Sequence, residues 1–75
     1  MSNYGRLWQE VSNIRDELKK LVSHAITNTL ADAERTCADA LITARDAGDH
    51  HRENRIRGLL SSWADLERRM ARCND

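Results

Sequence analysis

Asp46, Asp49, His50, His51 and Glu53 fall within one short stretch, the densest group of metal-capable side chains in the chain. Imidazole nitrogens and carboxylate oxygens are zinc ligands. The spacing works against a shared ion. Adjacent histidines on a helix project about 100° apart, and no two histidines stand four residues apart. The 46–53 stretch therefore reads as a solvated turn. His24, beside the polar face of the first helix, reads the same way. Neither a metal nor a cofactor is expected.

The nucleophiles point no further. Ser12, Ser23, Ser61 and Ser62 have no base and orienting group at a readable spacing. Cys37 lies on the apolar stripe of an acidic segment, surroundings that raise a thiol pKa and blunt its reactivity. Cys37 and Cys73 stand in no metal-ligand spacing and read as reduced thiols. No catalytic residue is assigned, and the chain is expected to be non-enzymatic.

Two groups could carry binding. Arg57, Arg68 and Arg72 share the outer face of the last helix with Ser61, and guanidinium groups hold phosphate or carboxylate in bidentate fashion. Asp65 sits among them, and the chain as a whole balances 12 basic against 12 acidic side chains. That balance favours a solvated face over a nucleic-acid footprint. The second group is aromatic. Trp63 lies in the middle of its apolar seam and reads as core. Trp8 lies at the edge of its stripe, near the chain start where an intramolecular core thins out. With Tyr4 one turn earlier, it is the better candidate to anchor a partner.

The elements that must position these residues are helices. No glycine or proline occurs from Arg6 to Ala47. Tyr4, Leu7, Trp8, Val11, Ile14, Leu18, Leu21, Val22, Ala25 and Ile26 recur at helical spacing, opposite Gln9, Asn13, Asp16, Lys20 and Thr27. Beyond Ile26 the stripe changes direction by roughly 90° at 100° per residue. Leu30, Ala33, Cys37, Ala40, Leu41 and Ala44 continue it on a new heading. Thr27, Asn28 and Thr29 are weak helix formers, and Thr29-x-x-Asp32 has the form of a capping box. The spacing thus predicts helices over about 4–27, 30–47 and 50–73, with Ser2 or Asn3 capping the first and a break at 27–29. Without that break, one helix of about 42 residues and 63 Å would form. It would be a long-short hairpin that must dimerise, burying Leu7, Trp8, Val11 and Ile14 against a second copy.

Gly48 suits the left-handed position after a helix end, and Asp49 suits the cap of the next helix. Ile56, Leu59, Leu60, Trp63, Leu66, Met70 and Cys73 form the last seam, supported by Glu53–Arg57 and Asp65–Arg69 pairs four residues apart. Gly58, outside the seam, suggests either a close approach or a tolerated surface glycine. Residues 31–49 carry two basic and five acidic side chains, while residues 50–75 carry six and four. Charge and the short turn both make the second and third segments antiparallel neighbours.

Ala38-Asp39-Ala40-Leu41, then Ala47-Gly48-Asp49, then Gly58-Leu59-Leu60 resemble a helical hairpin of the tetratricopeptide type. The resemblance covers about 30 residues and lacks that repeat's usual aromatic and proline positions. A single unit cannot stack into a solenoid.

At 75 residues the chain has room for one domain, 1–75, with a thin stability margin that oligomerisation often supplements. No apolar run approaches the ~20 residues of a membrane span. Residues 1–5 lack the features of a signal peptide, so a cytoplasmic location is expected. The sequence therefore predicts an all-α antiparallel bundle of three helical segments. Its expected role is a small adaptor or inhibitor that binds another protein through helix surfaces, with homo-oligomers expected. Compact motif-free helical chains of this kind are common among phage- and plasmid-encoded regulators of host systems. The alternative is a nucleic-acid accessory protein acting through Arg57, Arg68 and Arg72.

Overall fold

The computed structural model describes residues 4–73, with side chains through Arg72. Three helices form, α1 Tyr4–Leu21, α2 Leu30–Asp46 and α3 His50–Cys73. No strand occurs among the described residues. The all-α bundle read from the sequence is the architecture found. The capping expected of Ser2 or Asn3 lies outside the described residues, as does the side chain of Cys73.

The boundary between α2 and α3 forms as its residues dictate. Gly48 takes φ 75°, the conformation only glycine adopts without strain. Around it the Asp49 N–H donates to the Ala44 carbonyl (2.8 Å) and the Gly48 N–H to the Arg45 carbonyl (3.1 Å). This is the Schellman pattern, which satisfies the last carbonyls of α2. Asp49 then accepts the Arg52 N–H through its side chain at 3.2 Å and so opens α3. At the other end of α2, the Thr29 side chain accepts the Asp32 N–H at 3.1 Å. The turn is so short that α2 and α3 can only run antiparallel.

Helix α1 ends at Leu21, six residues before the expected 27, and the single rod through 27–29 does not form. Neighbouring contacts give the reason. Arg52, in the first turn of α3, donates to the Leu21 carbonyl, and Arg55 pairs with Glu17 at 3.3 Å. α1 is thus antiparallel to α3 and reaches the start of α3 at Leu21. Six more helical residues would project about 9 Å past that end with nothing to bury against. Instead the chain turns at Ser23 and His24 and runs back alongside the bundle. The Arg15 guanidinium donates to the Asn28 carbonyl (3.2 Å), and the Ile26 N–H donates to Thr36 Oγ1 (3.2 Å). Folding back buries Val22 and Thr27 and leaves Ile26, expected on the stripe, 53% exposed.

α3 is the centre of the molecule. α1 and α2 each pack on it and not on each other. Both run antiparallel to α3, and the 22–29 connection lies between them. Leu7, Val11 and Leu18 from α1, Ala33, Cys37 and Ala40 from α2, and Ile56, Trp63 and Leu66 from α3 make one core. The alanines of α2 bring its backbone close to the bulky seam of α3. The whole is long and thin, 45 × 19 × 17 Å.

Gly58 lies exposed on α3, and a Cβ built there meets no atom within 4 Å. Of the two readings, the tolerated surface glycine holds. Gly58→Ala is therefore expected to raise stability by about 0.5–1 kcal/mol, because glycine loses more backbone freedom in a helix than alanine does. Thermal unfolding followed by circular dichroism should show a rise of several degrees. A fall would mean that a neighbour does approach this point.

Candidate partner-binding surface

The residues assigned to binding separate into two surfaces. Tyr4 and Trp8 lie one turn apart on α1, their rings edge to face at 6.4 Å and 83°. Behind Trp8 stands Arg15, whose guanidinium carbon is 5.3 Å from the Trp8 ring centre and 4.9 Å from that of Trp63. Both separations are within cation–π range. A stack therefore runs Tyr4–Trp8–Arg15–Trp63 and ends in the core. Tyr4 and Arg15 are half-buried. Trp63 is fully buried and Trp8 is 40% exposed.

Sequence spacing alone did not show Arg15 as part of this stack. Seven residues after Trp8, it falls on the same flank of α1, and that i, i+7 relation was the available signal. Its second partner, Trp63, comes from α3 and is visible only in the fold. The Arg15 Nε and Trp63 Nε1 groups are buried without a hydrogen-bond acceptor among the described residues. The guanidinium charge is met by two aromatic faces and the Asn28 carbonyl. A rigid, partly exposed indole is a common form of interface anchor, since little side-chain freedom remains to be lost on binding.

The arginines lie elsewhere. Arg57 pairs with Glu53 at 3.0 Å and Arg68 with Asp65 at 3.4 Å. Asp65 also holds Arg69 at 3.1 Å. Among the described residues, no acid pairs with Arg72, which is exposed. At 100° per residue, Arg57, Arg68 and Arg72 sit roughly opposite Trp63 on α3, so the fold does not bring them to Trp8. Glu53–Arg57 and Asp65–Arg69 are the expected four-residue pairs, and Arg68–Asp65 is a three-residue pair beside them. They already answer part of the positive charge a polyanion would meet.

At the 46–53 turn Asp49 and Glu53 are committed to other contacts. Asp49 caps α3. Glu53, buried, accepts from Arg57 and lies 3.7 Å from His50 Nδ1. Among the described residues, no three His, Cys, Asp or Glu side chains are placed to hold one metal ion. Beside the turn lies a groove of about 300 Å³ with Ala40, Ala44 and Ala47 in its walls and His24, Asp39 and Arg52 at its rim.

No match was found among protein families, curated proteins or solved structures.

Cys37 is buried in the core. Burial pushes its thiol pKa up, with the Thr36 side chain pulling weakly the other way. The thiolate fraction at neutral pH is thereby reduced. In a Cys73→Ser chain, Cys37 should react with iodoacetamide at pH 7.5 only as fast as the protein unfolds. Fast native-state labelling would contradict the burial. The linkage has a sign as well. The fold favours the neutral thiol, so its contribution is complete below the unfolded value and declines as pH rises above about 9 toward the folded value.

Proposed function

We propose that this chain is a small, non-enzymatic protein-interaction module, an adaptor or inhibitor that engages another protein through helix surfaces. Trp8 and Tyr4 form the anchor. The observation that carries the reading is the stack itself, in which a partly exposed tryptophan is held rigid from behind by Arg15. No helix among the described residues is long and apolar enough to cross a membrane, and a cytoplasmic setting fits a reduced Cys37. A regulator of the phage or plasmid kind is one role such a module fits.

Affinity capture from the source cells with the tagged chain, followed by mass spectrometry, tests the proposal when run beside Trp8→Ala. A protein retained by the native chain and lost with the variant supports it. The arginine reading is weaker, because Glu53 and Asp65 occupy Arg57 and Arg68. Binding of duplex DNA at low salt, where phosphate contacts are strongest, would move the function to that face.

A further inference from the structure

The Trp8 flank of α1 carries positive charge that nothing in the chain answers. At 100° per residue, Trp8, Arg15 and Lys19 fall within about 40° of one another on α1, with exposed Ser12 beside them. Neither Arg15 nor Lys19 has an ion-pair partner among the described residues. The acids that could serve are engaged or turned away. Glu17 pairs with Lys20 and Arg55, and Asp32, four residues beyond Asn28, pairs with Arg35. Asp16 is exposed about 100° round the helix from Arg15. The opposite flank of α1 differs. There a groove of about 410 Å³ along the α1–α3 seam has Asp65 and Arg69 in one wall, and these two already pair at 3.1 Å.

The same flank has more donors than acceptors. Arg15 Nη2 donates to the Asn28 carbonyl, while Arg15 Nε and, beneath the guanidinium, Trp63 Nε1 are buried with no acceptor. Arg15 Nη1 makes no hydrogen bond among the described residues and is not one of these buried atoms, so it is open to solvent. Its position is fixed, because the guanidinium carbon lies 5.3 Å from one indole centre and 4.9 Å from the other. A cation held in place, half-buried and without a counter-charge is half of a strong charge-assisted contact.

We propose that the partner seated on Trp8 is an acidic protein segment, one carboxylate of which is held by Arg15 and Lys19. The proposal rests on Trp8 being the anchor. An apolar side chain of that segment covers the exposed part of the indole, and the carboxylate accepts from Arg15 Nη1 with the Lys19 ammonium one turn further along α1. Protein carboxylate fits better than nucleic acid, because polyanion binding draws on many phosphate contacts at once and this flank offers two cations.

A random-peptide phage library panned on the full chain, with counter-selection on Trp8→Ala, supplies the probe. Enriched peptides should carry Asp or Glu beside an apolar residue. In a synthetic copy of one such peptide, replacing that acid by its amide should weaken binding on the order of tenfold. Lys19→Glu should weaken the acidic peptide several-fold and have little effect on the amide form, since both changes remove the same contact. Raising salt should weaken the acidic peptide more than the amide form. Lys19 is exposed, so Lys19→Glu folds, which a thermal melt verifies, and the amide replacement leaves the protein untouched. Trp8-dependent peptides without an acid overturn the proposal and leave the Trp8 anchor standing. Acidic peptides that bind equally well as amides, or equally well to Lys19→Glu, overturn it too. A library that yields no Trp8-dependent peptide removes the anchor and this proposal with it. A single-stranded oligonucleotide that binds in place of any acidic peptide, and is lost with Trp8→Ala and Lys19→Glu, overturns it in favour of nucleic acid.

Discussion

Trp63→Ala is expected to unfold the protein at room temperature. Trp63 is the largest fully buried side chain and sits where α1, α2 and α3 converge. Truncating a buried tryptophan costs about 3–5 kcal/mol, part in lost transfer free energy and part in the cavity left behind. A domain of this size has roughly 4–11 kcal/mol in all, and its thin shape places it toward the lower figure. The variant also removes one of the two faces against Arg15. That leaves a half-buried cation with the Trp8 ring, the Asn28 carbonyl and an Nε that already has no acceptor.

Trp63→Phe separates these effects. It keeps an aromatic face under Arg15 and removes the indole N–H, whose burial without an acceptor costs about 1–3 kcal/mol. That relief offsets part of the cost of the smaller ring, so Trp63→Phe should stay folded with a modestly lower melting temperature. Far-UV circular dichroism and urea denaturation read both variants. A Trp63→Ala protein melting within a few degrees of the parent would place the core somewhere other than this seam. A Trp63→Phe protein as damaged as Trp63→Ala would mean that the indole N–H is satisfied after all.

Much of this arrangement was legible because local rules governed it. The α2–α3 turn follows from Gly48 and Asp49 alone, one supplying a positive φ and the other a side-chain acceptor. The α3 seam follows from its spacing, and Trp63 proved to be core for the reason given by its position. Thr29 capped α2 as its spacing to Asp32 required. The end of α1 was not legible, because nothing local stops it. Val22 and Ala25 keep helical spacing beyond Leu21 and do pack inward, but from a chain that has turned back. What ends the helix is the length of α3, against which α1 must find cover. The length of one element does not appear in the sequence of another.

The binding surface divides along the same line. Trp8 could be singled out by its place at the edge of a stripe. The arginines could be grouped on one face, and the interspersed acids gave notice of the pairs that engage them. The role of Arg15 could not be read, because one of its aromatic partners is remote in sequence. A charged residue beside an apolar stripe reads as ordinary surface until the third helix is in place. The groove on the other flank of α1 is likewise a property of two helices in register.

Trp8→Ala is expected to leave the fold nearly intact and to abolish partner capture. The indole is 40% exposed, so its loss removes contacts with Arg15 and Tyr4 but opens no core cavity. Exposed cation–π contacts are worth about 0.5–1 kcal/mol, and the melting temperature should fall by only a few degrees. For binding, an anchoring tryptophan contributes 2 kcal/mol or more, equivalent to about a 30-fold loss of affinity. Two mechanisms could produce such a loss, contact with the partner or disturbance of the α1 terminus, and Arg15→Met distinguishes them. Methionine keeps an apolar stem between the indoles but removes the planar cation that fixes the Trp8 ring. If Trp8 touches the partner, Arg15→Met weakens capture several-fold through lost preorganisation, and Trp8→Ala weakens it much further. If Trp8 only braces the helix, Trp8→Ala reduces capture no more than its modest loss of stability does, and the anchor must be sought on another face.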